Sequence, residues 1–255
     1  LGDVYKRQKY IFSILALFII CSYSIAQSYY FKNLSRIDGL SNDYVTDIAQ
    51  DRQGFVWIAT QSGLSRFDGR NFTSYTTLNS DLHNSAINKL FYDEEENKLW
   101  IGTNEHLSVL DCSTMKFENF THLDGFSLQN IRHLTFGSNN DIWIINFQRD
   151  VICYNKETKK AVRYASDKIK GFNGHNYCCY DDRKGNLYLG HIGNGLTIFN
   201  LDDYRMQNYY HNATDPNSLP GNAVYVIKED LHGNLWMGTD LRLSLIHISE
   251  PTRRR

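Results

Sequence analysis

Apolar and polar residues alternate along this chain in short runs of about four to six, the mark of half-buried strands, and the runs recur as a set. Each set turns on an apolar run with an aromatic at its centre. The first three are Gly54-Phe55-Val56-Trp57-Ile58-Ala59-Thr60, Lys98-Leu99-Trp100-Ile101-Gly102-Thr103 and Asp141-Ile142-Trp143-Ile144-Ile145-Asn146. The last two are Gly185-Asn186-Leu187-Tyr188-Leu189-Gly190-His191 and Gly233-Asn234-Leu235-Trp236-Met237-Gly238-Thr239. The aromatic pivots Trp57, Trp100, Trp143, Tyr188 and Trp236 lie 43, 43, 45 and 48 residues apart. A period in this range marks a solenoid, a propeller or an array, in which each unit buries its apolar face against a neighbour. All four Trp of the chain fall on the pivot, so packing between units is their expected role, not ligand stacking.

Three further runs surround each pivot. An apolar-alternating run precedes it: Val45-Thr46-Asp47-Ile48-Ala49, Ile87-Asn88-Lys89-Leu90-Phe91, Ile131-Arg132-His133-Leu134-Thr135, Tyr177-Cys178-Cys179-Tyr180 and Val224-Tyr225-Val226-Ile227. The link to the pivot reads Asp51-Arg52-Gln53-Gly54, Asp182-Arg183-Lys184-Gly185 and Asp230-Leu231-His232-Gly233. There Asp can cap a tight turn and Gly can supply its positive φ. Asn140 takes the Gly place in the third unit, and the second carries an extra residue in its link. After the pivot comes a run ending on Asp68, Asp111, Asn155 or Asn200, then one with an apolar pair such as Phe72/Tyr75 or Phe117/Phe120. Four short strands in about 45 residues is the size of one propeller blade. The expected fold is all-β: a β-propeller of about five four-stranded blades belonging to an incomplete ring. Residues 29–34 read as an outer strand of an absent last blade. Leucine-rich and helical repeats are excluded, because neither a Leu-x-x-Leu ladder nor a 3.6-residue period is present.

Composition narrows the function more than the fold. A net charge of −1 and a sequence pI of about 6.8 give nucleic-acid binding no electrostatic footprint. The His and Cys residues show no zinc spacing. No Gly-x-Ser-x-Gly elbow or His-Glu-x-x-His helix occurs, so neither an enzymatic activity of this chain nor a cofactor or metal is expected. Cys112, Cys153, Cys178 and Cys179 read as packing residues, and the adjacent pair would point to opposite faces of a strand.

The ends carry separate signals. Lys6, Arg7 and Lys9 precede an apolar run over 10–21 and the small residues Ser24 and Ala26, which together describe a secretory signal peptide over 1–26. The partial propeller is assigned to 27–242. Residues 243–255 depart from the repeat and, like 4–8, resemble translated adaptor sequence. They are expected to be a non-native tail.

Binding candidates lie in the loops that enter each first strand: Asn42, Asp43 and Tyr44; Asn84; Gln129 and Asn130; His175, Asn176 and Tyr177; and Asn222. In a propeller these loops ring one mouth of the central channel, where amides and aromatics suit hydroxyl-rich ligands or a partner domain. The competing reading is that their polar groups cap backbone turns.

The string Gly39-Leu40-Ser41-Asn42-Asp43-Tyr44-Val45, continued by Asp51-Arg52-Gln53-Gly54-Phe55-Val56-Trp57-Ile58-Ala59-Thr60 and Gly63-Leu64-Ser65-Arg66-Phe67-Asp68-Gly69, resembles the two-component regulator propeller repeat. The resemblance covers roughly residues 29–240. Departures are Ala59 for the usual Gly, Tyr188 for Trp, and Asn146 and His191 for Thr. It implies a seven-bladed ring in the periplasmic sensor region of a hybrid two-component system. It also implies an immunoglobulin-like domain, a membrane helix and a histidine kinase further along the full-length chain. The partners it implies are an oligosaccharide ligand or the adjacent immunoglobulin-like domain. A homodimer is expected of the full-length protein, with membrane attachment only through the C-terminal part. The alternative is a secreted carbohydrate-binding or scaffolding β-propeller without a kinase.

Overall fold

The computed structural model describes residues 31–146, 150–165 and 176–240, and the backbone of 243–246. The expected signal peptide (1–26), the tail beyond 246 and His175 lie outside the described residues. Residues 1–34 and 35–255 are two compact units. In the first, residues 31–34 carry no strand in this chain, whereas the outer strand expected over 29–34 belongs to a further blade. A strand exists only through ladder hydrogen bonds, and among the described residues none pairs with this segment; residues 29 and 30 lie outside them.

The second unit is a series of antiparallel sheets, each in simple chain order. The first holds β1 (Val45–Gln50), β2 (Val56–Thr60), β3 (Gly63–Phe67) and β4 (Phe72–Tyr75). The second holds β5 (Ile87–Asp93), β6 (Lys98–Thr103), β7 (Leu107–Asp111) and β8 (Lys116–Phe120). A two-stranded hairpin, β9 (His122–Leu123) and β10 (Phe126–Ser127), is inserted next and was not legible as strands. The third holds β11 (His133–Phe136), β12 (Asp141–Ile145), β13 (Val151–Asn155) and β14 (Lys160–Tyr164). The fourth holds β15 (Asn176–Asp181), β16 (Asn186–His191), β17 (Leu196–Asn200) and β18 (Met206–Tyr209). The fifth has β19 (Val224–Glu229), β20 (Leu235–Thr239) and β21 (Leu243–Ile246), so the backbone of 243–246 takes the third-strand place.

The links form as their residues dictate. The Asp51 carboxylate accepts the amides of Gln53 and Phe55, and Asp182 and Asp230 repeat the arrangement. Gly54 closes its turn at φ 90°, and Asn140, the substitute in the third sheet, sits at φ 60°.

Apolar burial follows the gaps between sheets. Trp57, Ala59 and Leu64 meet Ile87, Leu90, Leu99, Ile101 and Leu110 of the second sheet. Trp100 and Val109 meet Ile131, Leu134, Ile142 and Ile144 of the third. Trp143 and Val151 meet Cys179, Leu187 and Leu189 of the fourth, whose Cys178, Tyr188 and Leu196 meet Val224, Ile227 and Met237 of the fifth. Each pivot therefore plugs the gap to the next sheet, and Cys178 and Cys179 face opposite gaps as expected. The exposures are 0%, 6%, 2% and 7% for Trp57, Trp100, Trp143 and Tyr188, but 38% for Trp236. Trp236 departs from the packing role because no described sheet follows the fifth.

A polar system at the link end was not visible in the sequence. Trp57 and Trp236 donate their indole N–H to Asp51 and Asp230 of their own links, at 2.8 and 3.0 Å. The third sheet has Gly137 at the Asp place. A Cβ there would lie 2.5 Å from the Trp143 indole nitrogen, so no side chain fits. Trp143 instead donates to Asp181 of the fourth sheet at 2.9 Å, and the Ser138 amide donates to the same oxygen at 3.1 Å. In the second sheet Asp93 is turned toward Lys156 of the third, 2.5 Å away and also 2.8 Å from Glu96. The Trp100 indole is left buried without a partner.

Candidate functional site

The five first strands β1, β5, β11, β15 and β19 border a cavity of about 840 Å³. Their registers place Asp47, Lys89, His133, Cys178 and Val226 at equivalent positions. All but β11 carry a register irregularity just before that position, at Val45/Asp47, Ile87/Lys89, Asn176/Cys178 and Val224/Val226. A bulge bends the strand and re-aims one side chain. The residues it affects here are Thr46, Asn88, Tyr177 and Tyr225, where each strand receives its mouth loop.

Charge inside the cavity is unevenly compensated. Lys89 and Asp47 form an ion pair at 2.9 Å, and Asp47 also accepts the Leu90 amide at 2.9 Å. Glu229 is engaged by the Tyr180 hydroxyl, Asp181 by Trp143 and Ser138, and Asp93 by Lys156. Lys228 lines the same cavity and is exposed. Burial, followed by repulsion from Lys89 and Lys228, lowers the pKa of His133 to about 3, so its ring is neutral at physiological pH. The backbone of Cys179 holds the ring through a hydrogen bond, and Nε2 is buried without a partner. The Tyr180 phenol is held protonated: burial raises its pKa, as does its carboxylate partner.

Among the described residues, those singled out from the sequence lie around the loop end of these strands and outside the cavity wall. Asn42 donates to Ser62 Oγ at 2.9 Å and accepts the Tyr44 amide at 2.8 Å. Asp43 accepts the Arg36 amide, Asn84 the Ala86 amide and Asn222 the His211 amide. Asn42 and Asn84 thus cap their own turns, while Asp43 and Asn222 each hold the backbone of a preceding segment. Tyr44 and Gln129 are exposed, and Asn176 is buried. Asn130 takes a left-handed backbone at φ 49° and gives its amide to the Asn104 carbonyl, while its side-chain oxygen is buried without a partner. Tyr177 meets Tyr225 edge-on, with ring centroids 5.5 Å apart. Lys89, His133, Lys228 and Tyr225 were missed. The available signal for Lys89 and His133 was a polar residue at one repeat-equivalent place of the first strand; Lys228 and Tyr225 lie at other places and carried no such signal.

Successive four-stranded antiparallel sheets, with their first strands around a shared cavity, define a β-propeller. Residues 39–62, the segment that holds β1 and β2, match the family described as two component regulator propeller. Over 65 residues the chain is 42% identical to Histidine kinase P4 of Formosa agariphila, covering 26% of this chain and 4% of that protein. It is 28% identical, with a TM-score of 0.76, to the extracellular domain of a protein of B. thetaiotaomicron described as a hybrid two component system. That match covers 87% of this chain and 31% of the other. A second B. thetaiotaomicron extracellular domain, described as a one component system, shares the fold at 24% identity and a TM-score of 0.66, over 79% of this chain and 27% of that one. The chain thus spans less than a third of each of these proteins.

Proposed function

We propose that this propeller is the sensor region, held outside the cytoplasm, of a transmembrane two-component signalling protein whose further part is a histidine kinase. It responds to a glycan-derived ligand and lies in the periplasm. The supporting observation is the 28% identity, spread over 87% of the chain, to the extracellular domain of a protein described as a hybrid two component system. The match to a histidine kinase points the same way. The propeller itself offers binding, not chemistry. A sensor can drive a kinase only if its ligand binds one conformation more tightly than another. Partner contacts of the same chain, through an immunoglobulin-like domain or a homodimer, would supply the second conformation.

Sequencing the encoding DNA beyond the codon for Asp240 tests this. The expected result is a run of about 20 apolar residues followed by a kinase domain. A stop codon soon after the propeller would overturn the sensor reading in favour of a secreted binding protein.

A further inference from the structure

The joint between the second and third sheets departs from the others at two repeat-equivalent places. The residue after the third strand is Cys112 in the second sheet, Lys156 in the third and Leu201 in the fourth. Each gives its amide to the carbonyl at the end of the link, on Asn97, Asn140 or Gly185. Cys112 and Leu201 pack against apolar clusters. Lys156 brings an ammonium into the same setting, 8% exposed, with Nζ 4.5 Å from the centre of the Phe136 ring. A buried charge persists only when it is paired, and the carboxylates that pair this one, Asp93 and Glu96, come from the second sheet. Asp93 occupies the place of Asp51 and Asp230, two residues beyond the partner of the pivot Trp in the register. In all three the Oδ1 atom accepts two link amides: Gln53 and Phe55 on Asp51, Glu95 and Glu96 on Asp93, His232 and Asn234 on Asp230. The difference lies in Oδ2. It accepts the indole N–H of Trp57 and of Trp236, but in the second sheet it faces Lys156 at 2.5 Å. Trp100 Nε1 is left buried with no partner. One oxygen thus has two claimants, Lys156 across the joint and Trp100 within its own sheet.

We propose that Lys156 is a positioning residue for Asp93, and that this carboxylate has a second place in the fold, on Trp100, to which it turns when Lys156 is withdrawn. With Asp93 on Lys156, charge ties the second sheet to the third. With Asp93 on Trp100 that tie is gone, and the second sheet takes the internal bond of the first. The second place needs no counter-charge: Asp51 is 6% exposed, and two amides and an indole satisfy it. Asp93 and Phe136 also line the central cavity, so the exchange alters the cavity wall together with the joint. A sensor requires an element with two arrangements, but the exchange stands on this geometry whether or not the sensor reading holds.

The test reads the indole N–H resonances of the full chain by proton–nitrogen correlation, with Trp100 assigned through Trp100→Phe. A hydrogen bond to a carboxylate deshields an indole proton. In the unaltered chain Trp100 should therefore resonate upfield of Trp57 and Trp143, and Asp93→Ala should leave it there, whereas Asp51→Ala should shift Trp57. Lys156→Met places an apolar chain where the fourth sheet has Leu201. It should move the Trp100 proton downfield into the range of Trp57, while Lys156→Arg should not. Adding Asp93→Leu to Lys156→Met should return the resonance upfield, which identifies the acceptor. A Trp100 resonance that stays in place in Lys156→Met, or that already shifts in Asp93→Ala, overturns the exchange. Failure of Lys156→Met to fold would overturn it equally, because Asp93 would then have no second place to take.

Discussion

At the scale of single residues, the most informative site is the place occupied by Asp51, Asp93, Gly137, Asp182 and Asp230 in successive sheets. The indole N–H of Trp57, buried at a sheet interface, finds its acceptor in a carboxylate of its own link, and the partly exposed Trp236 repeats the bond. Where Gly137 removes the carboxylate, the next sheet's Asp181 takes over and also receives the Ser138 amide. Asp181→Ala should leave both donors unpaired and cost at least about 1–3 kcal/mol, measured by urea unfolding. A loss below about 0.5 kcal/mol, the usual size of a surface change, would show the bond to be dispensable. The thiols give a second check at this scale. Burial pushes the Cys112 and Cys178 thiols up to about 12 and Cys179 well above its ordinary range. At pH 8 these residues stay protonated in the folded chain and become reactive on unfolding. Peptide mapping after iodoacetamide should find Cys112, Cys178 and Cys179 unlabelled in buffer and labelled in 8 M urea, a concentration of about the strength needed to unfold small domains. Labelling in buffer would contradict the packing role.

At the scale of elements, each of the three internal sheets contributes one face to each of two interfaces, and the pivot aromatic dominates the face that meets the following sheet. Trp100→Ala should cost about 3–5 kcal/mol through lost burial and the cavity left behind. Trp236→Ala should cost clearly less, since that ring keeps 38% of its exposure. Tyr177→Ala, at the mouth, should stay near about 0.5 kcal/mol. Equal unfolding midpoints for Trp100→Ala and Tyr177→Ala would refute this division between packing and binding. Most strands were readable in advance: the runs gave β1 to β3, β5 to β7, β11 to β13, β15 to β17, β19 and β20 to within about two residues, and β4, β8, β14 and β18 only as an apolar or aromatic pair. The hairpin of β9 and β10 was not, because two-residue strands carry no periodicity. It is fixed by contacts that join distant segments, such as Asp124 accepting the Ala161 amide at 3.1 Å.

At the scale of the molecule, the two outermost faces of the series differ from their internal counterparts. Ile48 is 60% exposed, whereas Leu90 at the equivalent place is 4% exposed. Ile48 and Val45 on the first sheet, and Trp236 and Val226 on the fifth, leave apolar surface that elsewhere is covered by a neighbour. Such surface drives association when nothing else covers it. The chain as given should therefore self-associate with rising concentration in sedimentation velocity, and Ile48→Lys should weaken that association. A single monomeric species across the whole range would show the faces to be indifferent to contact.

The sequence by itself determined the repeat, its period, the four-strand unit, the link chemistry and the role of the internal tryptophans. All of these are local or periodic properties, written where a strand, a turn or a buried plug must fall. It could not determine which side chains meet across the gaps. Asp181 beneath Trp143, Lys156 on Asp93, and Lys89 and Lys228 around His133 join residues about 40 or more apart in the chain. Nor could it show that Asn42, Asp43, Asn84 and Asn222 are occupied by backbone amides while the first strands hold the cavity, since a polar side chain looks the same in sequence whether it is free or bonded. Those facts depend on how the sheets stack against one another, and stacking brings together groups whose separation along the chain carries no trace of their contact.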